Sequence, residues 1–209
     1  MNNTYLKLAI QKEGRLTEKT LDFLRRSGLE FERCTKRLFS TCRNFPLEIL
    51  YMRDDDIPDY VANGTVDLGI IGQNILFETC PKVKNLRLLR YGMCALTLAV
   101  PKESTIQNLS DLRGKIIATA YPKSTRNFFE KNNIPVQLIQ MSGSVEIAPT
   151  LGIAQAIVDL VSTGMTLDLN DLRPLEKIYD SQAVLIANEK TISIPDRQTL
   201  FTQLMARFN

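Results

Sequence analysis

Residues 156–167 read AIVDLVSTGMTL, an apolar run that ends in an acid and then in a small polar turn. The run predicts a buried strand, and the Ser-Thr-Gly-x-Thr turn beyond it predicts a strand–turn–helix unit. A turn of this kind directs several N–H groups and three hydroxyls to one point, which suits a phosphate. Asp159 at the strand end is placed to accept hydrogen bonds from sugar hydroxyls, so the segment is typical of a 5-phosphoribosyl site. The alternative is that the small residues only permit a tight turn.

The same alternation of strand, loop and helix extends through the chain. Strands are predicted over 6–10, 47–53, 66–71, 114–121 and 136–141, and helices over 17–28, 58–63, 124–132 and 196–208, with another after 72. We further expect a hairpin within 31–41, extended stretches in 86–101 and 175–187, and a helix opening at 145–151. Thr17 and Ser144 are the expected N-caps. This order predicts an α/β fold with largely parallel sheets.

Composition excludes several classes of function. The chain has 209 residues, a net charge of +3 and no histidine. Without histidine, Ser-His-Asp catalysis, Cys-His catalysis and His-ligated zinc or iron sites are impossible. The small net charge, without a long cationic run, does not favour nucleic acid as a partner. Apolar runs are too short to span a bilayer, so membrane association is not expected either.

The cysteines and the first residues point to a reducing compartment. Cys34, Cys42, Cys80 and Cys94 show no C-x-x-C spacing, which argues against a zinc ribbon or a redox motif. Free cysteines in the cytosol are the expected state. The opening sequence MNNTY lacks the charged start and apolar stretch of a signal peptide. We therefore expect a soluble cytoplasmic protein.

Two loops in the first half of the chain carry cations after predicted strands. Residues 11–15 place two cations around a glycine before a helix, which suits an anion, although an exposed loop with solvated charges is the commoner case. Residues 53–58 carry Arg53 at a strand end and then three acids. Those acids either complement the helix dipole or, as the less favoured reading, bind Mg²⁺ directly.

Two further loops carry acids. Asp67 lies in an apolar strand and needs a partner there, since burying an unpaired carboxylate costs on the order of several kcal/mol. A ligand and a structural hydrogen-bond network fit Asp67 equally well. In the loop 142–146, Glu146 either complements the dipole of a helix start or reaches a ribose hydroxyl.

Six motifs, in order along the chain, resemble the ATP phosphoribosyltransferases that open histidine biosynthesis. They are QKxGRL (11–16), RDDDIP (53–58), VDLGIIG (66–72), ATAYP (118–122), GSVExAP (143–149) and DLVSTGxTL (159–167). The motifs span nearly the whole chain, which makes the resemblance specific where the phosphate turn alone is not.

The resemblance implies two α/β lobes like those of type II periplasmic binding proteins, with ligands in a cleft between them. The first lobe is expected to comprise 1–95 plus 180–209 on the ATP and pyrophosphate side, and the second 96–179 on the phosphate-turn side. In the implied reaction, N1 of the adenine of ATP displaces pyrophosphate from C1 of phosphoribosyl pyrophosphate (PRPP). Mg²⁺ is the expected cofactor, carried by the pyrophosphate and not by protein ligands.

The resemblance also implies roles for individual residues. Arg15, Arg37 and Arg53 are the expected catalytic cations near the pyrophosphate or triphosphate, with Lys36 as the alternative to Arg37. The expected PRPP-binding residues are Glu146, Asp159, Ser162, Thr163, Gly164, Met165 and Thr166. The expected ATP-binding residues are Lys12, Gly14, Asp67, Gly69 and Tyr121.

Two departures refine this hypothesis. Val158 precedes Asp159 where purine-salvage phosphoribosyltransferases carry paired acids, which favours the separate ATP-dependent family. The chain stops at Asn209, before the histidine-binding domain of the long form, which fits either a natural short form or a truncated long form. For a short form, a regulatory subunit resembling histidyl-tRNA synthetase is the implied partner, beside a homodimer or higher oligomer. The rival hypotheses are a bilobal solute- or nucleotide-binding module without turnover and a salvage phosphoribosyltransferase.

Overall fold

The computed structural model describes residues 5–33 and 36–208, and it divides into two compact units. Unit 1 combines the described residues of Met1–Gly92 with those of Gln182–Asn209, and unit 2 is Met93–Ser181. Unit 1 is therefore built from two separate stretches of chain, whereas unit 2 is continuous.

Unit 1 is organised around a six-stranded sheet. Its strands, numbered in chain order, are β1 (Leu6–Gln11), β2 (Phe39–Thr41), β3 (Leu47–Met52), β4 (Leu68–Gly72), β5 (Lys84–Leu88) and β11 (Ala183–Ala187). The strand order in the sheet is β2-β3-β1-β4-β11-β5. The three strands β3, β1 and β4 are parallel, and β2, β11 and β5 join them through antiparallel pairs. The helices of unit 1 are α1 (Thr17–Arg26), α2 (Ile57–Ala62), α3 (Gln73–Thr79), α6 (Glu189–Ile192) and α7 (Pro195–Arg207).

The burial pattern of the strands agrees with their positions in the sheet of unit 1. Strands β4 and β11 are buried at every position, as expected of apolar runs in the middle of a sheet covered on both faces. Helix α1 buries Thr17, Thr20, Leu21 and Leu24 on one face, the spacing expected of an amphipathic helix. The parallel strands β1, β3 and β4 end at the same edge of the sheet, so the loops that follow them meet there.

Unit 2 contains a five-stranded sheet. Its strands are β6 (Cys94–Pro101), β7 (Ile116–Thr119), β8 (Gln137–Gln140), β9 (Ala156–Val161) and β10 (Leu172–Ser181). The strand order is β10-β6-β9-β7-β8. Strands β9, β7 and β8 are parallel, and β6 pairs antiparallel with both β9 and β10. The helices are α4 (Pro122–Lys131) and α5 (Met165–Leu169), with 3₁₀ turns at Leu109–Leu112 and Val145–Ile147.

Several local predictions were wrong. In the described part of 31–41 only Phe39–Thr41 forms a strand, and it pairs antiparallel with β3 and not with a second strand inside 31–41. The helix predicted at 145–151 is a single 3₁₀ turn, because Pro149 has no amide hydrogen to continue a helix. Ser144 adopts the left-handed region with a φ of 51° and makes no capping hydrogen bond. Thr17 is the first residue inside α1, and its buried hydroxyl has no partner in the described structure.

The cysteines described by the structure carry free thiols. Cys42, Cys80 and Cys94 are unbonded, and Cys34 lies outside the described residues. Burial raises the pKa of Cys42 to about 11, which keeps this thiol protonated and unreactive. Among the described helices, none has both the length and the apolar character that a membrane span requires.

Candidate active site

The phosphate turn forms as predicted at the end of β9. The strand runs to Val161, the chain turns through 162–164, and α5 begins at Met165. Gly164 precedes the helix with a φ of 81°, a backbone conformation that glycine adopts without strain. A Cβ atom there would meet nothing within 4 Å, so backbone conformation and not crowding accounts for this glycine.

Six of the seven predicted PRPP-binding residues line one small cavity of about 110 Å³ in unit 2. Its walls combine two carboxylates with hydroxyls and a tight turn, and its lining contains no lysine or arginine. The six residues are Glu146, Asp159, Ser162, Thr163, Gly164 and Thr166. Met165 lies apart from them: its side chain is 67% exposed, and it lines a neighbouring cavity with Lys102 and Arg173.

Asp159 is the most strongly perturbed group in this cavity. The pKa of Asp159 is raised to about 6, chiefly by burial, with a smaller contribution from the nearby Glu146 carboxylate. A hydrogen bond from the Leu160 amide to Asp159 Oδ1, 2.7 Å long, opposes that shift. The Asp159 carboxylate can therefore accept hydrogen bonds from a ligand, and the cavity lining places no cation beside it.

In unit 1 the loop after β1 carries three of the predicted residues, Lys12, Gly14 and Arg15. The Arg15 guanidinium donates from Nη1 to the carbonyl of Gly92, and its Nη2 lies 3.2 Å from where a Cβ on Gly72 would be. Glycines at these two positions leave room for the guanidinium beside the end of β4. A guanidinium has five N–H donors, so Arg15 retains donors for an anion. Lys12 Nζ is 3.8 Å from Glu13 in an exposed pair that contributes little.

The loop after β3 is tied to the loop after β1. Gln11 Nε2 donates to Asp54 Oδ2 at 2.9 Å, and the Lys12 amide donates to the Met52 carbonyl at 2.8 Å. Burial raises the pKa of Asp54, with a further contribution from Asp55. Asp56, at the N-cap of α2, makes no side-chain capping bond, which leaves the helix dipole as the means by which this acid stabilises the start of the helix. Arg53 is exposed beside Asp54.

Lys36 and Arg37 lie close to the end of β3, because the carbonyl of the following residue, Leu38, accepts the Tyr51 amide at 2.8 Å. Both are exposed and precede β2, the strand at the sheet edge beyond β3. The geometry therefore groups Arg15 and Arg53 but does not choose between Lys36 and Arg37.

Two predicted ATP-binding residues have structural roles instead. Asp67 is 1% exposed, accepts the Lys7 amide at 2.8 Å and pairs with Arg197 Nη1 at 2.6 Å. Both carboxylate oxygens are thus occupied, which favours the structural alternative stated above. Gly69 is buried where a Cβ would lie 2.7 Å from Ile57 Cγ2, so it permits α2 to pack closely on β4. We assign neither residue to a nucleotide.

Tyr121, the remaining predicted ATP-binding residue, lies at the start of α4 in unit 2. Its amide donates to Thr119 Oγ1 at 2.9 Å, and its carbonyl accepts from Thr125 Oγ1 at 2.7 Å. Its ring is half-buried against the core of unit 2. The backbone around Tyr121 is therefore fixed by buried threonines.

A resident metal site is not evident in the part of the chain that the structure describes. No group of three or more Asp, Glu, Cys or His side chains there is arranged to hold a metal ion. Of the three acids after Arg53, Asp54 is already bonded to Gln11, which leaves two exposed carboxylates. The side chains present thus do not by themselves form a Mg²⁺ cage.

Comparison with known proteins identifies the family. A family model described as ATP phosphoribosyltransferase matches residues 53–209, three quarters of the chain. This chain belongs to the ATP phosphoribosyltransferase family. ATP phosphoribosyltransferase from Cytophaga hutchinsonii is 41% identical over 207 residues, which cover 99% of this chain and 72% of that protein. As a member of the family, the chain is a transferase of histidine biosynthesis.

Solved structures support the fold. The ATP phosphoribosyl transferase (HisG:HisZ) complex from Thermotoga maritima contains a chain with a TM-score of 0.80 and 28% identity, covering 97% of this phosphoribosyltransferase and 98% of that chain. The alkanesulfonate-binding protein SsuA from Xanthomonas axonopodis pv. citri matches with a TM-score of 0.60 and 16% identity, over 98% of this chain and 71% of that one. The predicted α/β fold of the type II periplasmic-binding-protein class is thereby confirmed.

Proposed function

We propose that this ATP phosphoribosyltransferase binds PRPP through the cavity at the end of β9 and attaches its ribose to N1 of ATP. The observation that carries the assignment is the lining of that cavity, with two carboxylates beside a hydroxyl-rich turn. In the reaction the N1 lone pair forms the bond to C1 of the ribose. The bond from C1 to the pyrophosphate oxygen breaks, and the electron pair leaves with pyrophosphate.

In unit 2 the carboxylates and the hydroxyl-rich turn bind different parts of PRPP. Asp159 and Glu146 accept hydrogen bonds from the ribose hydroxyls, which requires Asp159 to be ionised. Ser162, Thr163 and Thr166 hold the 5-phosphate through hydroxyls and turn amides, so no cation is needed there. Hydrogen bonds to a charged group of this kind contribute roughly 1.5–3 kcal/mol each.

In unit 1 the cations act on the leaving group. Displacement at C1 places developing negative charge on the pyrophosphate, and preorganised cations stabilise that charge without a protein nucleophile. Arg15 and Arg53 take this role, and Arg37 is retained beside them with Lys36 as its alternative. Lys12 and Gly14 face the ATP phosphates, and Tyr121 remains assigned to ATP.

Mg²⁺ enters this proposal with the pyrophosphate. The metal neutralises phosphate oxygens and favours departure of the leaving group, and it is held through those oxygens and not by a carboxylate cluster. Removal of Mg²⁺ with a chelator is expected to abolish turnover, while the midpoint of thermal unfolding without substrates stays unchanged.

A regulatory partner and an oligomer complete the proposal. The related Thermotoga maritima structure is a HisG:HisZ complex, which supports a HisZ-like subunit as the partner of this chain. We propose a homodimer or higher oligomer of this chain within such an assembly. We place the enzyme in the cytoplasm, where ATP and PRPP are made.

The deciding experiment is a steady-state assay with ATP, PRPP, Mg²⁺ and pyrophosphatase, which follows N1-phosphoribosyl-ATP by ultraviolet absorbance. Product from the chain alone supports a self-sufficient enzyme. Product only after addition of a HisZ-like subunit supports an obligate partner. Binding of ATP or PRPP without product in either case overturns the proposal in favour of a binding module. Saturation by a free purine base in place of ATP indicates a salvage enzyme.

A further inference from the structure

Gln11 joins the two cation-bearing loops of unit 1 through one side chain. Its Nε2 donates to Asp54 Oδ2 at 2.9 Å, and its Oε1 accepts the Leu16 amide at 3.0 Å. The residue is 9% exposed and lies at the last position of β1. Both the donor and the acceptor of its carboxamide are therefore used.

The chemistry of these two bonds requires an amide at this position. The Leu16 N–H can only donate, and the ionised Asp54 can only accept, so the bridging group must offer one acceptor and one donor. A carboxylate at position 11 would lack the donor, and an aliphatic side chain would lack both groups. With an aliphatic side chain, the Leu16 amide would be left without its buried acceptor, which is unfavourable.

The two bonds end next to the residues assigned to the leaving group. Leu16 directly follows Arg15, and Asp54 directly follows Arg53. Gly14, with a φ of 134°, lets the loop fold tightly over the carboxamide: a Cβ there would lie 2.5 Å from Gln11 Nε2. Fixing Leu16 and Asp54 therefore fixes the backbone from which each of the two arginines extends.

We infer that Gln11 is a positioning residue for phosphoribosyl transfer, holding the loops of Arg15 and Arg53 at one spacing through its bonds to Leu16 and Asp54. The inference rests on the proposed function of those two cations. Gln11 itself touches neither substrate in this scheme. Its loss is expected to lower kcat by about 100-fold, the scale associated with a misplacement of about 1 Å, with a smaller effect on the KM for ATP.

A reciprocal exchange of donor and acceptor tests the inference. Gln11→Glu removes the donor and sets two carboxylates against each other, so kcat falls and exchange of the Leu16 amide hydrogen accelerates. Combining Gln11→Glu with Asp54→Asn returns one donor and one acceptor to the bridge. The double variant is expected to recover most of the kcat and the protection of Leu16. Gln140→Glu, an exposed strand-end glutamine in unit 2, is the matched control.

The outcomes separate the two hypotheses. Wild-type kcat in Gln11→Glu, or failure of the double variant to restore kcat and Leu16 protection, overturns the positioning role. If Gln11→Glu does not fold, Gln11→Asn supplies a neutral side chain too short to span both partners and is judged by the same readouts. If the wild-type protein makes no product with or without a HisZ-like subunit, the proposed function fails, and the hydrogen exchange of Leu16 still decides whether the bridge exists.

Discussion

At the scale of single residues, Asp159 couples ligand binding to stability. Its pKa in the folded protein is about 6, above the ordinary 3.8, so the folded state favours the protonated form. The unfolded chain releases that proton at lower pH, and the free energy of unfolding therefore falls as the pH rises from about 4 to about 6. The same carboxylate must be ionised to accept hydrogen bonds from the ribose, so the site opposes stability at neutral pH.

Asp159→Asn separates these two effects. At pH 7.5 the variant should be more stable than wild type by about 1 kcal/mol, a figure reduced for partial exposure of the carboxylate. The gain should disappear near pH 4, while PRPP binding weakens at pH 7.5. Urea unfolding at both pH values and calorimetric titration with PRPP provide the measurements. Glu176→Gln, an exposed acid on β10, is the control. Unchanged PRPP affinity in Asp159→Asn would show that Asp159 does not bind PRPP.

Arg15 is tested by its effect on turnover. Arg15→Ala removes a cation that stabilises the departing pyrophosphate, so kcat is expected to fall by about 100-fold, as for comparable oxyanion donors. The matched control is Arg26→Ala, which removes an exposed arginine from the last turn of α1. Normal turnover in Arg15→Ala would contradict a role for this residue at the leaving group.

At the scale of elements, Gly69 sets the distance between α2 and β4. Gly69→Ala would place a methyl group 2.7 Å from Ile57 Cγ2 and 3.1 Å from Val61 Cγ2. Overpacking of this kind should lower the free energy of unfolding by about 1–3 kcal/mol. Gly143→Ala is the control, because a Cβ there meets nothing within 4 Å. Equal stability of the two variants in urea would show that this packing tolerates a methyl group.

Sequence patterns alone were sufficient to predict some helices and strands and missed others. Strands β1, β3 and β9 and helix α1 were predicted within about two residues, because each carries a clear apolar period and a local end signal. Helix α6 was missed, since its four residues are too few to show a period; its cap is Asn188, whose side chain accepts the amides of Lys190 and Thr191. Short elements depend on such caps more than on hydrophobic spacing.

At the scale of the whole molecule, an ion pair between the buried Asp67 and the partly exposed Arg197 joins the two stretches of chain that form unit 1. Arg197 on α7 pairs with Asp67 across 130 residues of sequence. Arg197→Met would leave the Asp67 carboxylate buried with only an amide partner, and the free energy of unfolding should fall by about 3 kcal/mol or more. Adding Asp67→Asn to Arg197→Met should recover part of that loss, because no unpaired charge remains.

Chemical denaturation measures the loss of stability in Arg197→Met, with Gln203→Met on the exposed surface of α7 as the control. If Arg197→Met and Gln203→Met unfold at the same denaturant concentration, the pair does not stabilise unit 1.

The sequence by itself determined the α/β class, the phosphate turn with Asp159, and membership of a family whose motifs are short and continuous. These features depend on neighbours within a few residues, so they can be recognised without tertiary structure. Only the tertiary structure decided that Asp67 forms an ion pair with Arg197 and that Gln11 bridges Leu16 and Asp54. Asp54 is 43 residues from Gln11 in sequence, and the parallel pairing of β1 with β3 brings the two together. Partners at such separations are set by strand order, because a buried polar group bonds to whatever the sheet places beside it.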